Sequence, residues 1–221
     1  MTLRQYPMIA REGWPFIGVA LLMLMVAARV GSWALLASVG FLFVVLVLLF
    51  RDPKREVPSR PLAVVAPVDG RVVRVQPTDK GELRREAMLI EIVVNHFGAY
   101  TARSPSEGKV LNLRDNIAAG SRMTGVSGLW VRTDEDDDVV VLMIGSRRIA
   151  KPRSFCGYGE RLGQGQRFAF IRLARRVRIY LPLSSSVEVQ VGQRVRAGAD
   201  VLAEFTRQNV EELPDSTESD T

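Results

Sequence analysis

Two stretches decide how this chain is read: Ala66-Pro67-Val68-Asp69-Gly70-Arg71-Val72 and Ser104-Pro105-Ser106-Glu107-Gly108-Lys109-Val110. Both spell small-Pro-x-acid-Gly-basic-Val. In each, proline sets φ on entry and glycine permits a turn before a β-branched run begins. A third unit, Val191-Gly192-Gln193-Arg194-Val195-Arg196-Ala197-Gly198, reads as turn, strand, turn. Around these units lie β-branched runs of strand length at 72–75, 88–94, 139–144, 168–173, 177–181 and 187–191, mostly bounded by Gly, Pro, Asp or Asn. No strong amphipathic helix competes with them. The body, residues 62–205, is expected to be a compact β-sandwich or barrel-like domain.

The N-terminal quarter is different. Residues 14–28 carry no charge, and 33–50 form a second uncharged run of 18 residues. A helix crossing a hydrocarbon core needs about 20 residues at 1.5 Å each. The short Arg29-Val30-Gly31-Ser32 link returns the chain to the side it started from. Arg4 and Arg11 precede the pair and Arg51, Lys54, Arg55 and Arg60 follow it, so the positive-inside rule puts both ends and the body in the cytoplasm. A cleaved signal peptide has one short apolar core and a small-residue cleavage site, which two runs with a basic exit do not match. The division expected is therefore a basic segment 1–13, membrane helices 14–50, a basic linker 51–61, the β domain 62–205 and an acidic, disordered tail 206–221.

Composition narrows the chemistry. The 221 residues carry 30 Lys and Arg against 24 Asp and Glu, a net charge of +6, which favours anionic partners. A single Cys excludes an internal disulfide, and a single His excludes a His-rich metal site; no metal is expected. Cys156 reads as a buried structural thiol and His96 as a loop or strand-end residue. The acidic run 134–138 reads as a solvated hairpin loop. The turns resemble those of lipoyl and biotinyl carrier domains, but no modifiable Lys stands near Gly192 or Gly198, which argues against a carrier role.

Over residues 12–205 the chain resembles the short, membrane-associated form of phosphatidylserine decarboxylase. The resemblance rests on Glu12-Gly13-Trp14, Phe50-Arg51-Asp52-Pro53 with Arg55 and Pro58, and the Pro-Val-Asp-Gly turn at 67–70. It continues through Arg103-Ser104-Pro105 with Gly108, Ile171-Arg172, Val177, Tyr180-Leu181-Pro182, Val191-Gly192-Gln193 and Ala197-Gly198. It implies self-cleavage at a Gly-Ser step, the Ser becoming a pyruvoyl group that acts as electron sink for decarboxylation. Self-cleavage needs a hydroxyl nucleophile, a base and a strained turn.

The chain departs from the family where that chemistry sits. The family's Gly-Ser falls on Ala174-Arg175, and its Asp-x-His falls on Gly98-Ala99-Tyr100; Asp69 and Arg103 are retained. Arginine has no hydroxyl, so a protein without cofactor is expected, non-catalytic at this position. Gly145-Ser146-Arg147 repeats the family's cleavage tripeptide in another frame, which makes Ser146 an alternative cleavage site and an active decarboxylase the alternative function. Headgroup candidates are Arg103, Arg147, Arg148, Lys151, Arg175 and Arg176, with Arg153, Arg172 and Arg178 in the same basic clusters. The expected partners are the membrane and anionic phospholipid, with a catalytic relative or a second copy as further options and no nucleic acid. A protein-binding β scaffold is a third reading.

Overall fold

The computed structural model describes residues 9–79, 81–83, 85–111, 126–145, 152–171 and 174–206. A 3-10 turn, Arg11–Gly13, leads into α1 (Trp14–Val30), and α2 is Trp33–Leu49. Gly31 and Ser32 join them, so the predicted hairpin is present. Ala20 and Ala27, one face of α1, are buried; such small side chains let two helices approach closely. The outer surface is predominantly apolar, with Trp14, Phe16, Met25, Trp33 and Phe41 more than half exposed. An exposed apolar surface of this extent marks a lipid or protein contact. Arg11–Val30, at 20 residues, is long and apolar enough to cross a membrane, while the 17 residues of α2 span about 26 Å.

The body is almost wholly strand. In chain order the strands are β1 (Ala63–Val65), β2 (Gly70–Thr78), β3 (Ala87–Val94), β4 (Thr101–Arg103), β5 (Gly108–Leu111), β6 (Val126–Arg132) and β7 (Asp138–Ile144). They continue with β8 (Arg153–Ser154), β9 (Arg161–Leu162), β10 (Arg167–Phe170), β11 (Arg176–Leu181), β12 (Ser186–Val187), β13 (Arg194–Val195) and β14 (Val201–Glu204). Among the described residues they form an eight-stranded antiparallel sheet, β13-β2-β3-β11-β7-β6-β5-β9, and two three-stranded sheets, β1-β14-β12 and β4-β10-β8. The main core lies on the inner face of the large sheet, where Val72, Ile90, Ile92, Val141, Met143, Val177 and Ile179 meet Phe168, Leu202 and Ala203. The mainly β expectation holds.

The repeated motif is a local two-fold. Arg103 N donates to Pro67 O at 2.9 Å and Val65 N to Pro105 O at 2.8 Å, so each copy bonds the other reciprocally. Gly198 N donates to Ala66 O, and Gly165 N to Ser104 O; Gly192 N donates to Val72 O, and Gly159 N to Val110 O. β13 pairs Arg194 with Arg71 and Val195 with Gly70, while β9 pairs Arg161 with Lys109 and Leu162 with Gly108. Both motif glycines are required by close approach: a Cβ would lie 2.1 Å from Val93 O at Gly70 and 2.2 Å from Arg132 O at Gly108.

Two expected strands are shorter in the fold. The run 187–191 forms a strand only at Ser186–Val187, because Gln193 Oε1 accepts from Gln190 N and turns the chain, leaving Val191 exposed. The run 168–173 forms a strand only as far as Phe170, and Ala174 N donates to Ile171 O at 3.0 Å. In the acidic run, residues 134–137 are the hairpin turn as read. Asp138 instead is buried, accepting from Trp130 Nε1, Arg132 Nε and Arg85 Nη2.

Candidate functional site

The chain leaves α2 through Phe50, Arg51 and Asp52 and meets the β domain at once. Tyr100 N donates to Arg51 O at 3.0 Å, and Ala10 N donates to Phe50 O at 2.9 Å. Tyr100, which the resemblance sets at a His position, donates its hydroxyl to Glu12 Oε2 at 2.9 Å. Its ring packs on Phe50 (4.9 Å between centroids) and Phe170 (5.9 Å). The position is therefore a joint between hairpin and body.

Beneath this joint lies a buried ionic cluster. Asp52 is fully buried; its Oδ2 accepts from Thr101 Oγ1 at 2.7 Å and from Arg167 Nε at 2.9 Å. Its Oδ1 has no hydrogen-bond partner among the described residues and lies 4.0 Å from Arg103 Nη2. Arg103, 5% exposed, donates to Pro53 O at 2.8 Å, so this headgroup candidate faces the hairpin exit. Burial pushes the Asp52 carboxyl above its ordinary range, and Thr101, Arg167, Arg103 and Arg55 offset only part of that.

Asp69 is held differently. Burial raises its carboxyl, but hydrogen bonds from Arg55, Ala197 N and Ala99 N outweigh burial and hold it below the ordinary range. Oδ1 accepts from Arg55 Nη1 and from Ala197 N at 2.7 Å; Oδ2 accepts from Arg55 Nη2 at 2.6 Å and from Ala99 N at 2.8 Å. Four donors saturate the carboxylate and leave it no lone pair directed at a substrate. Gly98 packs on the same group: a Cβ there would lie 2.5 Å from Asp69 Oδ2.

Arg175, the residue expected at the cleavage position, lies at the same end of the large sheet. Its N donates to Ile144 O at 2.9 Å and its O accepts from Val94 N at 3.0 Å, while Val94 pairs with Gly70 next to Asp69. The residue is exposed, and its guanidinium has no ion pair among the described residues. Ala174 beside it is fully buried in the core. Arg176 is exposed on β11 and reaches Glu91 at 3.2 Å. Ser146, Arg147, Arg148, Lys151 and Arg172 lie outside the described residues. His96 is exposed in the turn after β3. Cys156 is half-buried against the core, its Sγ 3.0 Å from Ser154 Oγ, and burial raises its thiol.

Sequence reading missed Asp52 and Arg167 as a pair, although Phe50-Arg51-Asp52-Pro53 was recognisable as a motif. It also missed Arg71, Arg74 and Arg194, whose grouping depends on strand register.

Fold and site define a β-sheet protein that carries an apolar helical hairpin, with a buried ionic cluster where the two meet. The family model described as phosphatidylserine decarboxylase matches residues 42–203. A phosphatidylserine decarboxylase proenzyme of Nitrosomonas europaea is 40% identical over 212 residues, covering 90% of this chain and 96% of that one. A proenzyme of the same name from Burkholderia ambifaria is 35% identical over 208 residues, 90% and 97% of the two chains. In solved structures, glucose permease IIA from Mycoplasma capricolum aligns over 64% of this chain and 94% of its own, at 15% identity and a TM-score of 0.46. The chain belongs to the phosphatidylserine decarboxylase family.

That membership corrects the expectation that no cofactor accompanies the chain: relatives alignable over 90% of it are named decarboxylase proenzymes, the form that yields a pyruvoyl group. At 174 and 175, where the sequence resemblance led cleavage to be expected, the side chains differ from what that chemistry needs. Ala174 and Arg175 supply no hydroxyl, Tyr100 is engaged with Glu12, and the Asp69 carboxylate is saturated.

Proposed function

We propose that this protein is a membrane-anchored family member of phospholipid metabolism that binds the headgroup of an anionic phospholipid, with Arg175 serving recognition where the family has its nucleophile. The observation that carries the reading is the exposed Arg175 guanidinium, without an ion pair among the described residues, at the sheet end beside the hairpin exit. A guanidinium offers a planar fork of donors matched to phosphate or carboxylate. The apolar hairpin supports anchoring, and the basic residues at its two ends support a cytoplasmic body.

A second reading is a decarboxylase processed before Ser146. It is favoured by the Arg175 N to Ile144 O hydrogen bond, which brings the strand leading to Gly145-Ser146 beside the family's cleavage position.

Denaturing electrophoresis with intact-mass measurement separates the two. The first reading expects one species of 24.6 kDa together with phosphatidylserine-dependent binding to vesicles. A fragment beginning at residue 146 with a blocked N-terminus would replace it by the second. An uncleaved protein with equal affinity for phosphatidylserine and phosphatidylcholine vesicles would remove both.

A further inference from the structure

The outer face of the large sheet is divided. Far from the hairpin, Leu89, Val140, Leu142 and Tyr180 form a small second core under Leu83. Near the hairpin the same face is arginine. Directly paired residues of antiparallel strands share a face, and the register runs Arg194, Arg71, Val93, Arg176 across β13, β2, β3 and β11. One row in, Arg74 and Arg178 flank Glu91. A bulge between Val72 and Arg74 inserts Val73 as an extra residue, which turns both Arg71 and Arg74 outward.

Five arginines thus share this face with one carboxylate. Glu91 is buried beneath Arg74, Arg176 and Arg178, with contacts of 3.9, 3.2 and 3.6 Å. Arg71 and Arg194 stand directly opposite each other, about 5 Å apart at their backbones, with no ion pair among the described residues. Like charges in that position destabilise a sheet. Glu91 offsets only one of the five charges, and an anionic surface laid against this face would neutralise the rest. Phe97, 63% exposed in the turn beyond Val94, adds an apolar contact at the same end.

The row lies one residue inside the sheet end whose connecting turn reaches Tyr100 and the hairpin exit at Arg51. We propose that this outer face, through Arg71, Arg74, Arg176, Arg178 and Arg194, docks on an anionic lipid surface and orients the β domain against the bilayer. The inference rests on the reading that the hairpin anchors the chain in a membrane. It is separate from headgroup recognition by Arg175, because charge density rather than headgroup identity is what the row recognises. Attraction of this kind grows with each basic residue near the surface and fades with salt.

The test uses the full chain in nanodiscs, carrying a donor dye on Val73→Cys in a Cys156→Ser background and an acceptor dye on the lipid headgroups. Phosphatidylglycerol discs should give higher energy transfer than phosphatidylcholine discs. High salt, or the pair Arg71→Glu and Arg194→Glu, should abolish the difference, and Arg175→Ala should leave it intact. Equal transfer in the two lipids would overturn the docking face and leave an acidic protein as its occupant. Dependence on phosphatidylserine alone, lost in Arg175→Ala, would assign the effect to headgroup recognition instead and also overturn it. Failure of the chain to enter discs of either lipid would overturn the anchoring and the docking face together.

Discussion

Gly98 is pressed against Asp69: a Cβ at residue 98 would lie 2.5 Å from Asp69 Oδ2. The glycine at 98 and the saturation of Asp69 by Arg55, Ala99 N and Ala197 N are thus one packing solution. A carboxylate at 98 would collide with a second one already fixed there. Gly98→Asp is therefore expected to destabilise by about 3 kcal/mol or more, through overlap and an added buried charge. Urea denaturation of the full chain in detergent checks this, and an unchanged midpoint would contradict it.

Asp69 also sets a pH dependence. Its folded-state value is depressed, so its stabilising effect is fully present above the unfolded carboxyl value of about 3.9. That effect is lost as pH falls through the lower folded value. Thermal midpoints should drop below about pH 4, and Asp69→Asn should remove this part of the drop. At neutral pH the same substitution strands Arg55 and sets an amide against a backbone N–H, costing about 3–5 kcal/mol.

Replacing Arg175 by Ser should not restore cleavage at that position. The introduced hydroxyl would find Tyr100 bonded to Glu12 and Asp69 without a free lone pair. Intact-mass measurement of Arg175→Ser should show no fragment starting at residue 175, and its appearance would show that the missing hydroxyl was the only obstacle.

The joint at Tyr100 can be weakened in steps. Tyr100→Phe keeps the stacking on Phe50 and Phe170 but loses the hydrogen bond to Glu12, about 1–2 kcal/mol. Tyr100→Ala also empties the aromatic cluster, about 3–5 kcal/mol. Limited proteolysis in the 51–61 segment should accelerate in that order.

The two-fold predicts equivalent effects at equivalent glycines. Gly70→Ala and Gly108→Ala each drive a methyl into a backbone carbonyl that cannot withdraw, Val93 O and Arg132 O. Both should lower the thermal midpoint of the β domain by several degrees, matching about 2 kcal/mol or more. Gly18→Ala in α1, where a Cβ meets nothing within 4 Å, is the control and should not.

The apolar helices, the strand-rich body, the two Pro-x-acid-Gly turns and the identity of Arg175 are local chemistry, and the sequence alone determined them. A run of uncharged residues dictates a helical hairpin wherever it sits, and Arg175 lacks a hydroxyl in any fold. Tertiary structure decided what depends on pieces distant in sequence. Asp52 and Arg167 meet 115 residues apart, and Ala197 N reaches Asp69 across 128. Arg194 stands opposite Arg71 only through the β13–β2 register. One strand end was decided closer by: Gln190 is taken into a turn by the side chain of Gln193, three residues on. Hydrophobic pattern specifies which segments are strands; the partner of each backbone and charged group is chosen only when the strands close on one another.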